Sequence, residues 1–206
     1  MTLESPTDPD LWARARDGDE QAFGALFDRH SRTVYNYLFR RTADWSVAED
    51  LTSVVFLETW RRRAEVRLSS DSLLPWLYGV ASNVMHNHRR SLRRHRAALE
   101  RFRALAPTPD DSAATAAARL EAEREMRTVL DSIKNLSRAD QEILALCVWE
   151  GLGYAEAAAA LGVPVGTVRS RLARARQRLR LEAEPHRADG HKRGDRPTAL
   201  FTEELS

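Results

Sequence analysis

Residues 154–180 read YAEAAAALGVPVGTVRSRLARARQRLR and decide the fold class of the second half of the chain. An alanine-rich run, a Gly-Val-Pro turn and a longer arginine-rich run follow one another. This order is typical of a helix-turn-helix, whose second helix enters the major groove of DNA. The stretch therefore predicts two helices, the second of which runs from about Val165 to Arg180.

This second helix has two different faces. At about 100° per residue, its apolar side chains fall within about 60° of one another, in a narrow stripe that must pack on the domain. The opposite face has small or amide side chains with arginines beside them, which suits close approach to base edges and bridging of guanine by Arg. A solvated face, or a contact with RNA or protein, is the alternative. The stripe is formed by Val168, Leu172, Ala175 and Leu179, and the outward face by Ser170, Ala173, Arg174 and Gln177.

Charge alternates along the chain in blocks. Residues 61–103 carry a net charge of +8 and residues 164–180 one of +6, whereas residues 1–60 and 104–163 carry −5 each. Two separate basic blocks indicate two surfaces that face anions, and the acidic blocks indicate surfaces that face something else. Two ordinary solvated faces would also explain the pattern.

The first basic block contains aromatic residues between its arginines. Trp76 and Tyr78 lie between the arginines of residues 61–63 and those that begin at Arg89. Aromatic rings beside cations are the composition of a surface that binds single-stranded nucleic acid by stacking. Because the two aromatics are also at helical spacing, a place in the core explains them at least as well.

Apolar residues at spacings of three and four predict helices almost throughout, so the expected fold class is all-α. Ser46 is the expected N-cap of a helix over residues 48–62, and Glu49 would complete its capping box. Two prolines and small residues indicate a linker before residue 119. The predicted segments are a flexible N-terminus (1–13), a helical domain (14–103), a linker (104–118), a second helical domain (119–182) and a disordered tail (183–206).

Motifs for enzymes, metals and membranes are missing from the sequence. No apolar run approaches the roughly 20 residues that span a bilayer, and residues 1–10 are acidic and polar, unlike a signal peptide. His86 and His88 would point about 200° apart on a helix and cannot share a metal. No nucleophile elbow, P-loop or paired-carboxylate motif occurs. We expect a cytoplasmic protein without catalytic residues, cofactor, metal or membrane insertion.

Three motifs resemble those of the extracytoplasmic-function (ECF) group of RNA polymerase sigma factors, in the sigma-70 family. Residues 48–60 (AEDLTSVVFLETW) resemble the helix that binds core polymerase. Residues 75–83 (PWLYGVASN), followed by Arg89 and Arg90, resemble the helix that reads the promoter −10 element. Residues 136–144 (LSRADQEIL) and 163–171 (VPVGTVRSR) are similar to the domain that reads the −35 element. The resemblance implies sigma domain 2, a flexible linker and sigma domain 4 with its helix-turn-helix.

The resemblance also implies roles for individual residues. The loop of residues 63–72 and Asn83 would capture a base of the −10 element after it has left the stack. Ser53 and Val54 stand where the family usually has Gln-Glu, and Asn87 stands where Asp is common, which bears on core affinity and −10 preference. The implied contacts are Glu49, Asp50, Leu51, Val54 and Leu57 to the clamp coiled coil of polymerase; Arg63, Trp76, Asn83, Arg89 and Arg90 to the −10 element; and Thr167, Arg169, Ser170, Arg171, Ala173, Arg174 and Gln177 to the −35 element.

The implied partners are core RNA polymerase and promoter DNA, and the sequence leaves open whether an anti-sigma factor holds the protein. A stand-alone helix-turn-helix regulator is the alternative function. It would bind an operator without polymerase, usually as a dimer on a palindrome. An RNA-binding protein or nuclease is a more distant alternative.

Overall fold

The structure is a computed structural model that describes residues 6–66, 68, 71–99 and 113–190. All regular secondary structure in these ranges is helical, as the sequence predicts. A π-helical turn, Ala145–Trp149, interrupts the second half. The helices are α1 (Asp8–Arg16), α2 (Glu20–Thr42), α3 (Trp45–Arg61), α4 (Leu74–Leu99), α5 (Ala113–Ser132), α6 (Arg138–Leu144), α7 (Tyr154–Leu161) and α8 (Val165–Gly190).

The N-terminal half consists of α1 to α4, which pack around a core of aliphatic and aromatic side chains. Asp19 caps α2 by accepting a hydrogen bond from the Ala22 N–H at 3.0 Å. Asp44 caps α3 in the same way, with the Val47 N–H at 2.9 Å. A carboxylate at each helix start satisfies a donor that the first turn leaves free and interacts favourably with the helix dipole.

The buried carboxylate of Asp8 ties the first helix to the start of the fourth. It accepts hydrogen bonds from the Leu73 N–H at 2.8 Å and from Arg29 Nη1 at 2.6 Å, and His30 Nε2 lies 2.7 Å away. The Asp8 residue is only 5% exposed. Burial opposes ionisation of this carboxyl, but the hydrogen bonds from Leu73 and Arg29 and the His30 charge outweigh it and lower its pKa. The start of α4 is therefore fixed by a residue 65 positions earlier in the chain.

The C-terminal half consists of α5 to α8 and contains the helix-turn-helix. Gly162 adopts φ +64°, a left-handed conformation that glycine accommodates without strain, and so ends α7 and starts the turn. Ser137 caps α6 by accepting from the Asp140 N–H at 3.2 Å. Helix α8 then packs on α6 and α7.

The two halves form one continuous hydrophobic core. Helix α4 of the N-terminal half lies against α7 of the C-terminal half. Trp45 at the start of α3 also donates its indole N–H to the Arg119 carbonyl of α5 at 3.2 Å. The helix-turn-helix is thus docked on the N-terminal half.

Two N-terminal features differ from the sequence prediction. Helix α1 begins at Asp8, inside the predicted flexible segment 1–13, because Leu11 and Trp12 are each 2% exposed and anchor it in the core. The N-cap of α3 is Asp44 and not Ser46, because the Asp44 carboxylate accepts the hydrogen bond from the Val47 N–H in the first turn.

Two C-terminal boundaries also differ. Helix α5 begins at Ala113, within the predicted linker, because an alanine run has the highest helix propensity. Helix α8 continues to Gly190, past the predicted end at Arg180; Leu181, Glu182, Ala183 and Glu184 favour the extension, whereas Pro185 does not. Residues 104–112 of the predicted linker and 191–206 of the predicted tail lie outside the described residues. The domain boundaries remain predictions.

Replacing Asp8 by Asn should lower the free energy of unfolding by about 2–4 kcal/mol at neutral pH, because buried donors lose a charged acceptor. The folded-state pKa of Asp8 is depressed, so its stabilisation is complete above about pH 4 and is lost as the pH falls through the folded-state pKa. Urea denaturation at several pH values measures the difference between the two proteins, which should shrink below about pH 4. Asp17→Asn, an exposed acid just after the same helix, is the control and should change little. A pH-independent difference would contradict the assignment.

Candidate nucleic-acid interface

Helix α8 divides into the two faces that its sequence predicts. Val168 and Ala175 are 0% exposed and Leu172 is 2% exposed, so the apolar stripe packs on the C-terminal half. Leu179 is partly buried at its end. With the stripe fixed inside, the side chains half a turn away must point to solvent.

Five of the seven predicted −35 residues are exposed on the outer face of α8. Thr167 and Arg171 are the exceptions, because both are half-buried. Ser170 and Ala173 present little bulk, while the guanidinium of Arg174 makes only a long contact of 3.4 Å between its Nε and the Ser170 carbonyl. The exposed residues are Arg169, Ser170, Ala173, Arg174 and Gln177.

Tyr154, at the start of α7, lies beside the predicted −35 residues although the sequence pattern does not single it out. The guanidinium of Arg169 lies 5.8 Å from the centre of its ring, within range of a cation–π interaction. Tyr154 is itself 40% exposed. Its position on the first helix of the helix-turn-helix was the available signal, since that helix crosses the DNA backbone in this motif.

The predicted −10 residues are in different environments. Asn83 and Arg90 are exposed on α4, and Trp76 is half-buried with its ring centre 5.7 Å from that of Trp12. Arg63, just after α3, has its guanidinium 3.8 Å above the Trp60 ring. We call Trp76, Asn83 and Arg90 the −10 surface.

Arg89, for which DNA contact stays a prediction, makes a hydrogen bond within the protein. Its Nη2 donates to the Arg41 carbonyl at 2.9 Å, so the side chain is turned toward the protein interior. Burial, and then the charges of Arg41 and Arg138, lower the pKa of Arg89 to about 10. Arg41 is itself 2% exposed, and its Nε and Nη1 have no hydrogen-bond partner. The interior thus holds a cluster of cations that sequence spacing does not reveal.

A cavity of about 480 Å³ lies between α4 and the helix-turn-helix. One wall contains Trp76 and Asn83 of the −10 surface, and the other contains the turn that begins at Gly162. The half-buried Arg171 of α8 also lines it. The structure therefore brings residues from both predicted DNA sites to one cleft.

Helix α3 presents an exposed strip that combines acidic and apolar side chains. Glu49 and Asp50 are exposed, and Val54 and Leu57 are 42% and 48% exposed. Leu51 is only 5% exposed and packs in the core, unlike the other four residues predicted to contact polymerase, and its contact with a partner stays a prediction. Leu51 lies one turn before the buried Val55, on the face of α3 that points into the core.

An aromatic groove lies beside this strip, and the sequence analysis did not predict it. Phe27 is 41% exposed, with its ring centre 4.8 Å from that of Phe56. Phe23 lies 5.0 Å from Trp60 by the same measure. The spacing of Phe23 and Phe27 on one helix face is visible in the sequence, but helical spacing alone is equally typical of a core. The strip and the groove together form an exposed apolar patch that suits a protein partner.

The described parts of the chain offer no other obvious site. Within them no group of three His, Cys, Asp or Glu side chains could hold a metal ion. None of the helices in those ranges has the length and apolar character required to cross a membrane.

Two family models match the chain. Sigma-70 region 2 matches residues 26–95, and Sigma-70, region 4 matches residues 126–179. The first contains α3 and the −10 surface, and the second contains the helix-turn-helix. The two matches follow the order that the sequence motifs predict.

Several bacterial sigma factors are similar over most of this chain. The RNA polymerase sigma factor NccH of Alcaligenes xylosoxydans xylosoxydans is 32% identical, over 84% of this chain and 95% of that protein. The ECF RNA polymerase sigma factor BldN of Streptomyces coelicolor is 30% identical, over 78% of this chain. The probable RNA polymerase sigma factor RfaY of Xanthomonas campestris is 34% identical, over 91% of this chain. The chain spans 60% of the length of BldN and 46% of that of RfaY.

Solved structures show the same fold. CnrH, in complex with the cytosolic domain of CnrY, is 25% identical with a TM-score of 0.63, over 86% of this chain and 97% of CnrH. The sigma factor RpoE of Bartonella quintana, in complex with the anti-sigma factor NepR, is 21% identical with a TM-score of 0.57, over 80% of this chain and 98% of RpoE.

Replacing Arg174 by Ala should relax base preference at one position of a duplex site and cost about 1–3 kcal/mol of binding there, if the guanidinium bridges a guanine. Arg178→Ala, on the border of the stripe, should instead weaken binding about equally on all sequences and reduce the salt slope by about 1. Fluorescence anisotropy on a set of single-base variants of the duplex measures both. Equal, sequence-independent losses for the two variants would contradict base contact by Arg174.

Proposed function

Because the chain belongs to the ECF group of the sigma-70 family of RNA polymerase sigma factors, we propose that it binds core RNA polymerase and directs initiation from specific promoters. The observation that carries this proposal is the combination in one chain of regions 2 and 4, each with an exposed surface suited to its role. A stand-alone regulator would need only the helix-turn-helix, and region 2 argues against that alternative.

Helix α8 would read the −35 element in the major groove. Its small side chains allow close approach, and Arg169 and Arg174 lie where they can reach base edges. The arginines beside the stripe would contact phosphates and set the position of the helix without reading sequence. The absence of acidic residues over 164–180 favours contact with a polyanion.

The −10 surface would bind the unstacked strand of the melted promoter. Trp76 offers an aromatic face and Asn83 an amide that can pair with the edge of an extruded base. Arg63 and Arg90 would bind the backbone. Arg89 could join them only after leaving its contact with the Arg41 carbonyl.

The exposed strip of α3 and the aromatic groove beside it would dock on core polymerase. An apolar centre with a charged edge is the usual make-up of a protein interface. Glu49, Asp50, Val54 and Leu57 supply these elements here. The clamp coiled coil is the proposed partner of this surface.

We propose that the protein acts in the cytoplasm. It would catalyse no reaction itself, since polymerase performs the chemistry. An anti-sigma factor is a further proposed partner. The similar protein CnrH was solved with the cytosolic domain of CnrY bound, and a protein partner on this fold supports this part of the proposal.

Replacing Leu57 by Asp should weaken binding to core polymerase at least about tenfold, because it places a charge in the apolar centre of the interface. Since Leu57 is 48% exposed, the melting temperature should hardly change. Leu181→Asp, at a leucine of α8 that is 59% exposed, is the matched control. Biolayer interferometry with immobilised core enzyme measures both variants. Equal affinity of the Leu57 variant and the unmodified chain would remove α3 from the interface.

Reconstituted transcription tests the function as a whole. Core polymerase with this chain should produce discrete run-off transcripts from a subset of genomic fragments, and sequencing their 5′ ends defines the promoters. Core polymerase alone is the control. Identical transcripts with and without the chain on every fragment would contradict the proposed function.

A further inference from the structure

We infer that helix α1 is a positioning element for the −10 surface, and that Asp8 and Trp12 control its base preference without contacting DNA. Asp8 holds the start of α4, and Trp12 holds both Val66 and the ring of Trp76. The inference deepens the proposed function and rests on it. Both α1 residues lie outside residues 26–95, which the region 2 model matches.

The carboxylate of Asp8 completes the start of α4 from another helix. In a capping box, an acid in the first helical turn accepts from the N–H of the residue that precedes the helix. The first turn of α4 contains no acid, and Leu73 precedes it. Asp8 Oδ2 takes this role, since it accepts from the Leu73 N–H at 2.8 Å and from the Ser72 hydroxyl at 3.3 Å. A residue of α1 therefore fixes where α4 begins.

The indole of Trp12 contacts two separate parts of the predicted −10 site. Its N–H donates to the carbonyl of Val66, which lies between α3 and α4, with 3.3 Å between nitrogen and oxygen. Its ring centre lies 5.7 Å from that of Trp76, and the two ring planes are tilted by 46°. Aromatic pairs at such distances favour particular ring orientations. Since Trp12 is only 2% exposed, DNA cannot reach it, and it acts only through its neighbours.

Helix α1 holds these contacts at a fixed spacing. Asp8 and Trp12 are four residues apart, so their side chains lie on one face of the helix, about 6 Å apart along its axis. Leu11 is 2% exposed and anchors the helix in the core. Asp8 is also held from α2, by Arg29 at 2.6 Å and His30 at 2.7 Å. The helix can therefore neither slide nor rotate without breaking these contacts.

The face of α4 that α1 fixes is the face of the −10 surface. Trp76 and Asn83 are seven residues apart, or about 20° around the helix, so both lie on one face. Trp76 is half-buried against Trp12, whereas Asn83 is exposed. A hydrogen bond to a base edge weakens steeply when donor and acceptor are misaligned. A rotation of α4 would therefore move the Asn83 amide away from the edge of a base that lies near Trp76.

Loss of the anchor should reduce base preference more than total affinity. Affinity for a single strand depends mainly on cations along its backbone, and Arg90 is exposed on α4 independently of α1. Base preference depends on hydrogen bonds that the correct base makes and a wrong base leaves unmade. A looser site accepts both bases almost equally. Unfolding, in contrast, would lower the affinity for every strand alike.

Two variants of the full-length chain remove the anchor at different points. Trp12→Phe keeps an aromatic ring beside Trp76 and removes the donor to the Val66 carbonyl. Asp8→Asn keeps the shape of the side chain and removes the charge at the start of α4. Trp12→Phe carries the test alone if Asp8→Asn does not fold.

Each variant has a matched control away from the −10 surface. Trp45→Phe also removes an indole hydrogen bond, the one to the Arg119 carbonyl. Asp44→Asn also removes a charge that caps a helix, here α3. Circular dichroism at the assay temperature verifies that each variant is folded.

Hydrogen exchange on the free chain tests the anchor without DNA. The Leu73 amide should exchange about tenfold faster in Asp8→Asn, because its charged acceptor is lost. Mass spectrometry of a peptide that contains Leu73 measures the rate, and Asp44→Asn should leave it unchanged. Equal rates in Asp8→Asn and the unmodified chain would contradict the anchor.

Fluorescence anisotropy on the holoenzyme reconstituted with core polymerase tests base preference. The probes are labelled single strands that carry the −10 element of a promoter defined by run-off sequencing, and its single-base variants. At the most selective position, the ratio of affinities for the best and worst bases should fall at least about fivefold in both α1 variants. The mean affinity over the four bases should change less than about twofold. Both controls should keep the ratio.

The outcomes separate this inference from the proposed function. If the unmodified holoenzyme prefers one base and Trp12→Phe keeps that preference, the positioning role of α1 is wrong and the proposed function stands. An equal loss of affinity for every strand also contradicts positioning. If the unmodified holoenzyme prefers no base at any position, the assignment of the −10 surface is wrong and the inference fails with it. Reduced preference at nearly constant mean affinity supports both.

Discussion

The packing of one narrow apolar stripe is the interaction on which the DNA-facing half of this protein depends. Val168, Leu172 and Ala175 are at most 2% exposed, and their burial fixes the rotation of α8 about its axis. Once that rotation is fixed, small and amide side chains face outward and arginines border them. The same residues in a helix rotated by half a turn would bury the arginines, at a desolvation cost that no acid over residues 164–180 could offset.

The sequence predicts local features well because periodicity and capping are local. The faces of α8, the cap at Ser137 and the turn at Gly162 are all confirmed. The all-α fold and the ECF sigma-factor family are confirmed too. The observed start of a helix differs from the predicted one in two cases. Asp44 caps α3 in place of Ser46, and an alanine run extends α5 back to Ala113.

Contacts between distant residues could not be predicted from one sequence. Arg40 and Glu150 are 110 positions apart, and Asp8 and Leu73 are 65 apart. In the sequence each of these acids looks like an ordinary surface charge. Leu51 and Arg89 illustrate the same limit, because motif position does not say which side chains the fold turns inward. One hydrophobic core unites these features and places α4 of the N-terminal half against α7 of the C-terminal half.

Site-specific photocrosslinking on a reconstituted holoenzyme tests the central claim most directly, namely that two surfaces of one chain hold separate stretches of one promoter. A crosslinking amino acid at Asn83 should label the single-stranded −10 region, and one at Ala173 the separate −35 duplex of the same promoter. Labelling of a single stretch by both positions, or of two symmetric half-sites by Ala173 alone, would contradict the account.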